Sequence, residues 1–189
     1  MPIGQAKFGL LGGVADPGKL ELIETKTFSG VTAVDFLSIE ESTYNVHFMT
    51  LNNIQHTGGL SNTRFQLFES GVLETGSVYQ YASQYNEAGG NNGELKSTGD
   101  SKIYFSYNNN GTTQDPRDSE NGYIYFYNLG DSTKYSFTTH QELFTDFGVM
   151  KMSFGSGVMT QASTVNGIRL DFNGVNTSGT ASLYGIAED

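Results

Sequence analysis

The residues that could do chemistry are few, and the first pattern among them is a partial phosphate-binding loop. Gly13, Gly18 and Lys19 have the spacing G-x-x-x-x-G-K, in which backbone amides and the lysine hold phosphate oxygens. The next residue is Leu20, so the hydroxyl that would hold Mg²⁺ is missing. The segment also neither follows a predicted strand nor opens a helix. A glycine-rich linker is the better interpretation.

Histidines give no better signal for catalysis. His47, His56 and His140 are the only imidazoles in the chain, and no H-x-x-x-H or E-x-x-H spacing supports a metal site. His47 alternates with Val46 and Phe48, so we expect it on the opposite face of its strand, towards solvent or a subunit contact. We predict no catalytic histidine, because a general base also needs a positioned partner.

Acidic residues also fail to form a convincing site. Glu40 and Glu41 are adjacent, so their carboxylates point in different directions and suit a solvated turn. Four oxygen-bearing side chains lie together in one polar segment: Asp115, Asp118, Glu120 and Asn121. Ca²⁺ takes such ligands, but their order does not match an EF-hand loop and Arg117 interrupts them. We therefore predict no catalytic residue, no metal and no cofactor.

The tyrosines are more informative. Five of them fall at alternate positions of two predicted strands: Tyr79 and Tyr81 in one, and Tyr123, Tyr125 and Tyr127 in the other. Alternate residues share one face of a strand. An exposed row would form a platform for stacking on sugar rings or for a protein contact. The alternative is a core between two sheets with the hydroxyls at its rim.

Composition restricts the class of protein. The chain has 189 residues, of which 24 are glycine, 13% are aromatic and only 16% are charged. The net charge of -10 opposes binding to phosphate backbones and anionic lipid, so we expect neither nucleic acid nor membrane as a partner. With no cysteine, the chain needs no disulfide and can fold in a reducing cytoplasm.

The sequence pattern indicates that most of these residues lie on or beside β-strands. Apolar residues recur at every second position in ten or so short runs, and no window sustains a helical pattern. We predict an all-β fold, a two-sheet antiparallel sandwich that is jelly-roll-like. A hairpin is expected at Ser29-Gly30, and residues 86–100 and 108–122 are expected to be long polar loops.

The first residues have a different composition from the rest. Residues 1–19 are rich in glycine and end at Asp16-Pro17-Gly18, a turn signal. We predict an extended N-terminal arm over 1–19 and one β-sandwich domain over 20–189. Three apolar residues could attach the arm to a partner: Phe8, Leu10 and Leu11. Their run is too short for a signal peptide.

The two ends of the predicted domain carry a resemblance. Leu20 to Thr27, the closing Val165 to Leu170, and above all the S-G-T-x-x-L-Y-G-I of Ser178 to Ile186 resemble a family of β-rich virion proteins of tailed bacteriophages, particularly those of marine bacteria. The resemblance implies a non-enzymatic structural component of the capsid, fibre or tail, located in a virion that assembles in the host cytoplasm. It also implies other virion proteins as partners and a homo-oligomer, for which a trimer is common.

Three functions stay open on this basis. The first is a virion accessory protein whose arm attaches to the particle while the sandwich projects outward. The second is a carbohydrate-binding or host-recognition module that uses the tyrosine rows on a host surface glycan. The third, an enzyme such as a polysaccharide depolymerase, has the weakest support, since no carboxylate pair is placed by the sequence.

Overall fold

A computed structural model of the chain describes residues 19–58, 62–106, 117–146 and 148–187. Within these ranges the backbone forms thirteen strands. Their bounds are β1 Leu20–Val31, β2 Ala33–Phe36, β3 Val46–His56, β4 Arg64–Glu69, β5 Val72–Leu73, β6 Tyr79–Glu87, β7 Asn92–Asp100, β8 Ile103–Tyr104, β9 Glu120–Tyr127, β10 Tyr135–Asp146, β11 Val149–Ala162, β12 Val165–Asp171 and β13 Thr177–Ile186. No helix that could span a membrane occurs in them. The predicted arm residues Phe8, Leu10 and Leu11 lie outside the described residues.

The strands form two antiparallel sheets packed face to face. The larger sheet has eight strands in the order β1-β13-β3-β9-β10-β11-β6-β7. The smaller has the order β2-β12-β4-β5, with β8 paired to β4. The first strand pairs with the last in one sheet, and the second pairs with the twelfth in the other. This rolled pairing of the chain ends is the jelly-roll-like arrangement, and the prediction of a two-sheet sandwich is confirmed.

Two local predictions are wrong. Ser29-Gly30 closes no hairpin: β1 runs through to Val31 with an irregularity between Phe28 and Val31, and β2 then enters the other sheet. Gly30, at φ 66°, accommodates the bend. Residues 86–100 are not a long loop, because Tyr85 faces Gly93 and Asn86 faces Asn92 in the β6–β7 hairpin. As an edge strand, β7 needs no continuous apolar face, so its composition resembles that of a loop.

The core fills the space between the inner faces of the two sheets. Met49, Ile124 and Phe126 contribute from the larger sheet, and Phe65 and Ile168 from the smaller. Each of these side chains is fully buried. The tight interdigitation of such side chains, rather than any disulfide, holds the sandwich together.

The closing motif shapes the last strand around two glycines. A Cβ on Gly185 would lie 2.3 Å from the ring of Tyr44, and one on Gly179 would lie 2.6 Å from Cδ1 of Ile54. Gly179, at φ 157°, also sits at the irregularity where β13 pairs with β3. Between them Leu183 enters the core while Tyr184 lies on the outer face. The motif therefore lets β13 pack between the edge strand β1 and β3 in the larger sheet.

Candidate functional site

The predicted tyrosine rows fall in different environments. Tyr79 is fully buried and Tyr81 nearly so, so the prediction that they form an exposed ligand or partner surface is wrong. Tyr79 Oη accepts a hydrogen bond from the amide of Leu67 at 2.9 Å, joining the sheets across the core. Burial raises the pKa of both phenols, so neither ionises near neutral pH. Tyr79 and Tyr81 therefore belong to the core between the two sheets, the alternative to an exposed row.

The other row lies on the outer face of the larger sheet. Tyr123 is 38% exposed and Tyr125 and Tyr127 are half-buried. Their rings pack laterally, with the Tyr125 and Tyr127 centroids 6.3 Å apart. On the neighbouring strand, the ring of Phe48 lies 4.7 Å from that of Tyr125. Aromatic groups at these distances form a pre-packed surface.

Leucines extend this surface to the edge of the sheet. Leu22 pairs with Tyr184 and is 60% exposed, while Leu20 is 48% exposed. We call the continuous surface on β1, β13, β3 and β9 the aromatic patch. It consists of Leu20, Leu22, Phe48, Tyr123, Tyr125, Tyr127 and Tyr184. A contiguous exposed apolar surface of this kind marks an interaction site.

Cross-strand register shows how little charge this face carries. Three rows of paired residues cross the sheet from strand to strand. The first row is Leu20, Ile186, Val46, Tyr127, Phe137, Val158 and Gln80, and the second is Leu22, Tyr184, Phe48, Tyr125, Thr139, Ser156, Ala82 and Lys96. The third row is Thr25, Ser182, Thr50, Tyr123, Gln141, Phe154, Gln84 and Glu94. Only Glu94 and Lys96 are charged in these rows, and they pair at 2.5 Å. The rows are therefore electrically neutral.

The outer face of the smaller sheet has the opposite character. Arg169 donates two hydrogen bonds to Asp35, at 2.6 and 2.7 Å, which raises the pKa of the guanidinium further. Asp171 accepts from Arg64 at 2.5 Å and from Lys102 at 2.8 Å. The pair of Arg169 and Asp35 is partly exposed, whereas Arg64 and Asp171 are mostly buried. The contrast singles out the larger sheet as the face adapted for contact.

On β10, β11, β6 and β7 the same outer face forms a groove, which we call the valley. Its floor is the small-residue part of the second row, Thr139, Ser156 and Ala82. Larger side chains of the two flanking rows rise on either side of it: Phe137, Val158 and Gln80, and Phe154, Gln84 and Gln141. The main part holds about 820 Å³, and a neighbouring part beside Phe154 holds about 410 Å³.

The three histidines are buried in the core of the sandwich. His47 lies on the inner face of β3, 0% exposed, with Nε2 2.7 Å from the carbonyl oxygen of Ile39. The prediction that it faces solvent or a subunit is wrong. The alternation was correct, but both faces of β3 are apolar, and the pattern did not show that Phe48 is on the outside. Desolvation lowers the pKa of His47.

Sequence spacing gave no signal for two polar contacts within the core. Nε2 of His56 lies 3.4 Å from Oε2 of Glu120, and Thr63 donates to that same oxygen at 3.0 Å. Nε2 of His140 lies 3.3 Å from the Ser83 hydroxyl, and burial lowers the pKa of this histidine to about 4. These residues come from distant parts of the chain, so only the fold brings them together.

The four oxygen-bearing side chains weighed as calcium ligands do not converge where the structure describes them. Glu120 points into the core, while Asn121 lies on the other face of β9 and its Oδ1 accepts from the amide of Asn53 at 2.9 Å. Asp118 is buried, and Asp115 lies outside the described residues. Across residues 19–58, 62–106, 117–146 and 148–187, no group of three or more histidine and carboxylate side chains could hold a metal.

Comparisons with protein families, with curated proteins and with solved structures found no match for this chain. The outer face of the larger sheet is therefore the candidate functional surface. It carries the aromatic patch on one half and the valley on the other.

Proposed function

We propose that the protein is a non-enzymatic structural component of a bacteriophage virion, displayed on the exterior of the capsid, fibre or tail. Copies of the chain associate through the aromatic patch. The observation that carries this proposal is the patch itself, in which exposed leucines and packed aromatic rings continue across four strands. Tyrosine and phenylalanine are enriched at protein interfaces because they bury a large area with few rotatable bonds.

A second copy of the chain is the occupant that the charge distribution favours. The protein carries a net charge of -10, so most pairs of surfaces would repel one another. The rows that include the patch have no unpaired charge. Two copies that meet here bury apolar groups without bringing carboxylates together. Such an interface is self-complementary, as closed homo-oligomers require.

The position of the patch also suits assembly. It extends to Leu22 on β1, the edge strand of the larger sheet. The opposite side of the sandwich presents the partly exposed ion pair of Asp35 and Arg169, which suits solvent. A subunit with one neutral apolar side and one charged side can be held by its neighbours and still face water.

The resemblance at the closing strand supports the virion assignment. Its glycines have a structural role here, because Gly179 and Gly185 allow β13 to pack against β3 and Tyr44. A chain without cysteine is able to fold in the host cytoplasm, where virions assemble. Other virion proteins are the further partners expected on this proposal, with residues 1–19 as the proposed attachment arm.

The experiment is to look for the protein in purified particles. Mass spectrometry of phage particles banded in a density gradient should detect the chain in a fixed ratio to the major capsid protein. Antibody against the purified protein should label intact particles in electron micrographs, since the proposal places the sandwich outside. Absence of the chain from particles that contain all other structural proteins would contradict the proposal.

A further inference from the structure

The valley differs from the aromatic patch in shape and chemistry. Its floor of Ala82, Ser156 and Thr139 runs across neighbouring strands rather than along one. The two rows that flank the floor are four residues apart along each strand, which separates them by about 14 Å. The groove is therefore wide enough for a single extended chain, and the part of it beside Phe137 holds about 820 Å³, a volume within the range of ligand sites.

We propose that the valley is a binding site for a neutral glycan chain laid across the strands. Phe137 and Phe154 stand on opposite sides of the floor and are 45% and 43% exposed. A sugar ring presents C–H groups on its faces, and these carry partial positive charge that the negative face of an aromatic ring attracts. Two exposed phenylalanine rings are thus placed to contact two positions of one chain.

The polar groups of the valley match hydroxyls. Gln80 and Gln84 are exposed on its walls, and their amides can both donate to and accept from a hydroxyl. Ser156 on the floor is likewise exposed and carries a hydroxyl. A glycan brings hydroxyls around an apolar ring, so it can satisfy the amides and contact the phenylalanines at the same time.

The direction of the valley favours a glycan over a peptide. An extended peptide gains affinity by adding its backbone hydrogen bonds to a sheet edge. The backbone groups beneath the valley are already paired within the sheet, since β11 pairs with β10 on one side and β6 on the other. A peptide in the valley would find no free backbone groups to hydrogen-bond with its own amides. A glycan needs only side-chain partners.

Charge favours a neutral chain over an acidic one. Lys96 is the one cation among the valley residues, and it is held by Glu94 at 2.5 Å. The overall charge of -10 repels sulfated or uronic glycans. The site therefore selects hexose or pentose chains without carboxylate or sulfate groups.

Nuclear magnetic resonance titration of the ¹⁵N-labelled full chain would test the proposal. The probes are maltohexaose, cellohexaose, xylohexaose and mannohexaose, with oligogalacturonate as the acidic counterpart and a pool of random decapeptides. At least one neutral oligosaccharide should shift the amide signals of Ala82 and Ser156. F137A and F154A should each weaken its binding about tenfold, and S156W, which fills the floor, should abolish it.

Leu143 provides the matched control. It lies on the same face outside the valley and is 52% exposed, so L143A removes a comparable apolar side chain and should leave the affinity unchanged. Thermal unfolding of each variant checks that it is folded. Binding of none of the neutral probes to the folded wild type would overturn the proposal, as would exclusive binding of oligogalacturonate or peptide. Wild-type affinity in both F137A and F154A would also overturn it.

This inference is separable from the virion proposal. The titration uses the isolated chain, so its result does not depend on particles. Detection of the chain in particles likewise does not depend on a sugar ligand.

Discussion

Substitution of Gly185 by alanine should destabilise the fold through a single contact. The added Cβ would lie 2.3 Å from the Tyr44 ring, well inside van der Waals distance. The atoms it meets are at the root of the ring, next to its own Cβ, so a small side-chain rotation cannot relieve the clash. The ring is also fixed at its far end, where the hydroxyl donates to the Glu21 carboxylate at 2.7 Å.

This hydrogen bond resists any shift of Tyr44. It raises the pKa of Tyr44 to about 12 and lowers that of Glu21, so the bond is kept at neutral pH. Overpacking a well-packed contact costs about 1–3 kcal/mol. We expect G185A to lose about 2 kcal/mol, which corresponds to a fall of about 4–8 °C in Tm for a domain of this size.

Urea denaturation and differential scanning calorimetry would measure the effect. G99A is the matched control, because Gly99 also lies in a strand and its Cβ would meet nothing closer than 3.5 Å. In a Y44A background, the cost of G185A should fall to about 0.5 kcal/mol or less, since the clashing ring is gone. Equal stability of G185A and wild type, or an undiminished cost in Y44A, would refute the structural role assigned to the closing motif.

Three further predictions concern polar groups in and around the core. The pKa of His140 is about 4 in the folded chain and 6.5 in the unfolded chain, so between these values only the unfolded chain binds the proton. The free energy of unfolding should therefore fall by about 3 kcal/mol as the pH drops from 6.5 to 4. Urea unfolding measured at several pH values should show a smaller fall in H140Q. D171N removes the carboxylate that holds the buried Arg64 and should cost about 3 kcal/mol in the same assay at neutral pH. Y79F leaves the buried amide of Leu67 without the phenol oxygen and should cost about 2 kcal/mol. If D171N or Y79F is as stable as wild type within error, the contact that the substitution removes does not stabilise the fold.

Much of the fold could be predicted from alternation in the sequence. The alternating apolar residues around Tyr44 to Phe48 and Tyr123 to Tyr127 predict strands, because side chains on a pleated backbone alternate between faces. Alternation alone does not say which strand pairs with which. The assignment of β1 and β2 to different sheets depends on contacts with β13 and β12, at the far end of the chain.

The candidate site was harder to predict, because it depends on which face of each strand is outside. Tyr79 and Tyr125 both lie in alternating tyrosine rows, yet one is buried and the other is on the outer face. The valley arises where Ala82, Ser156 and Thr139 align across strands that are far apart in sequence. No local spacing contains that information. The prediction for His47 is wrong for the same reason, because Val46 and Phe48 on the outer face of β3 are as apolar as core residues.

Sedimentation velocity of two leucine variants would show whether the aromatic patch holds copies of this chain together. Leu22 in the patch and Leu37 outside it are 60% and 59% exposed, so L22K and L37K introduce the same charge at equal exposure. We expect an oligomer larger than the 20.6 kDa chain for wild type and L37K, and at least tenfold weaker association for L22K. A monomeric wild type, or an oligomer that L22K leaves intact, would contradict it.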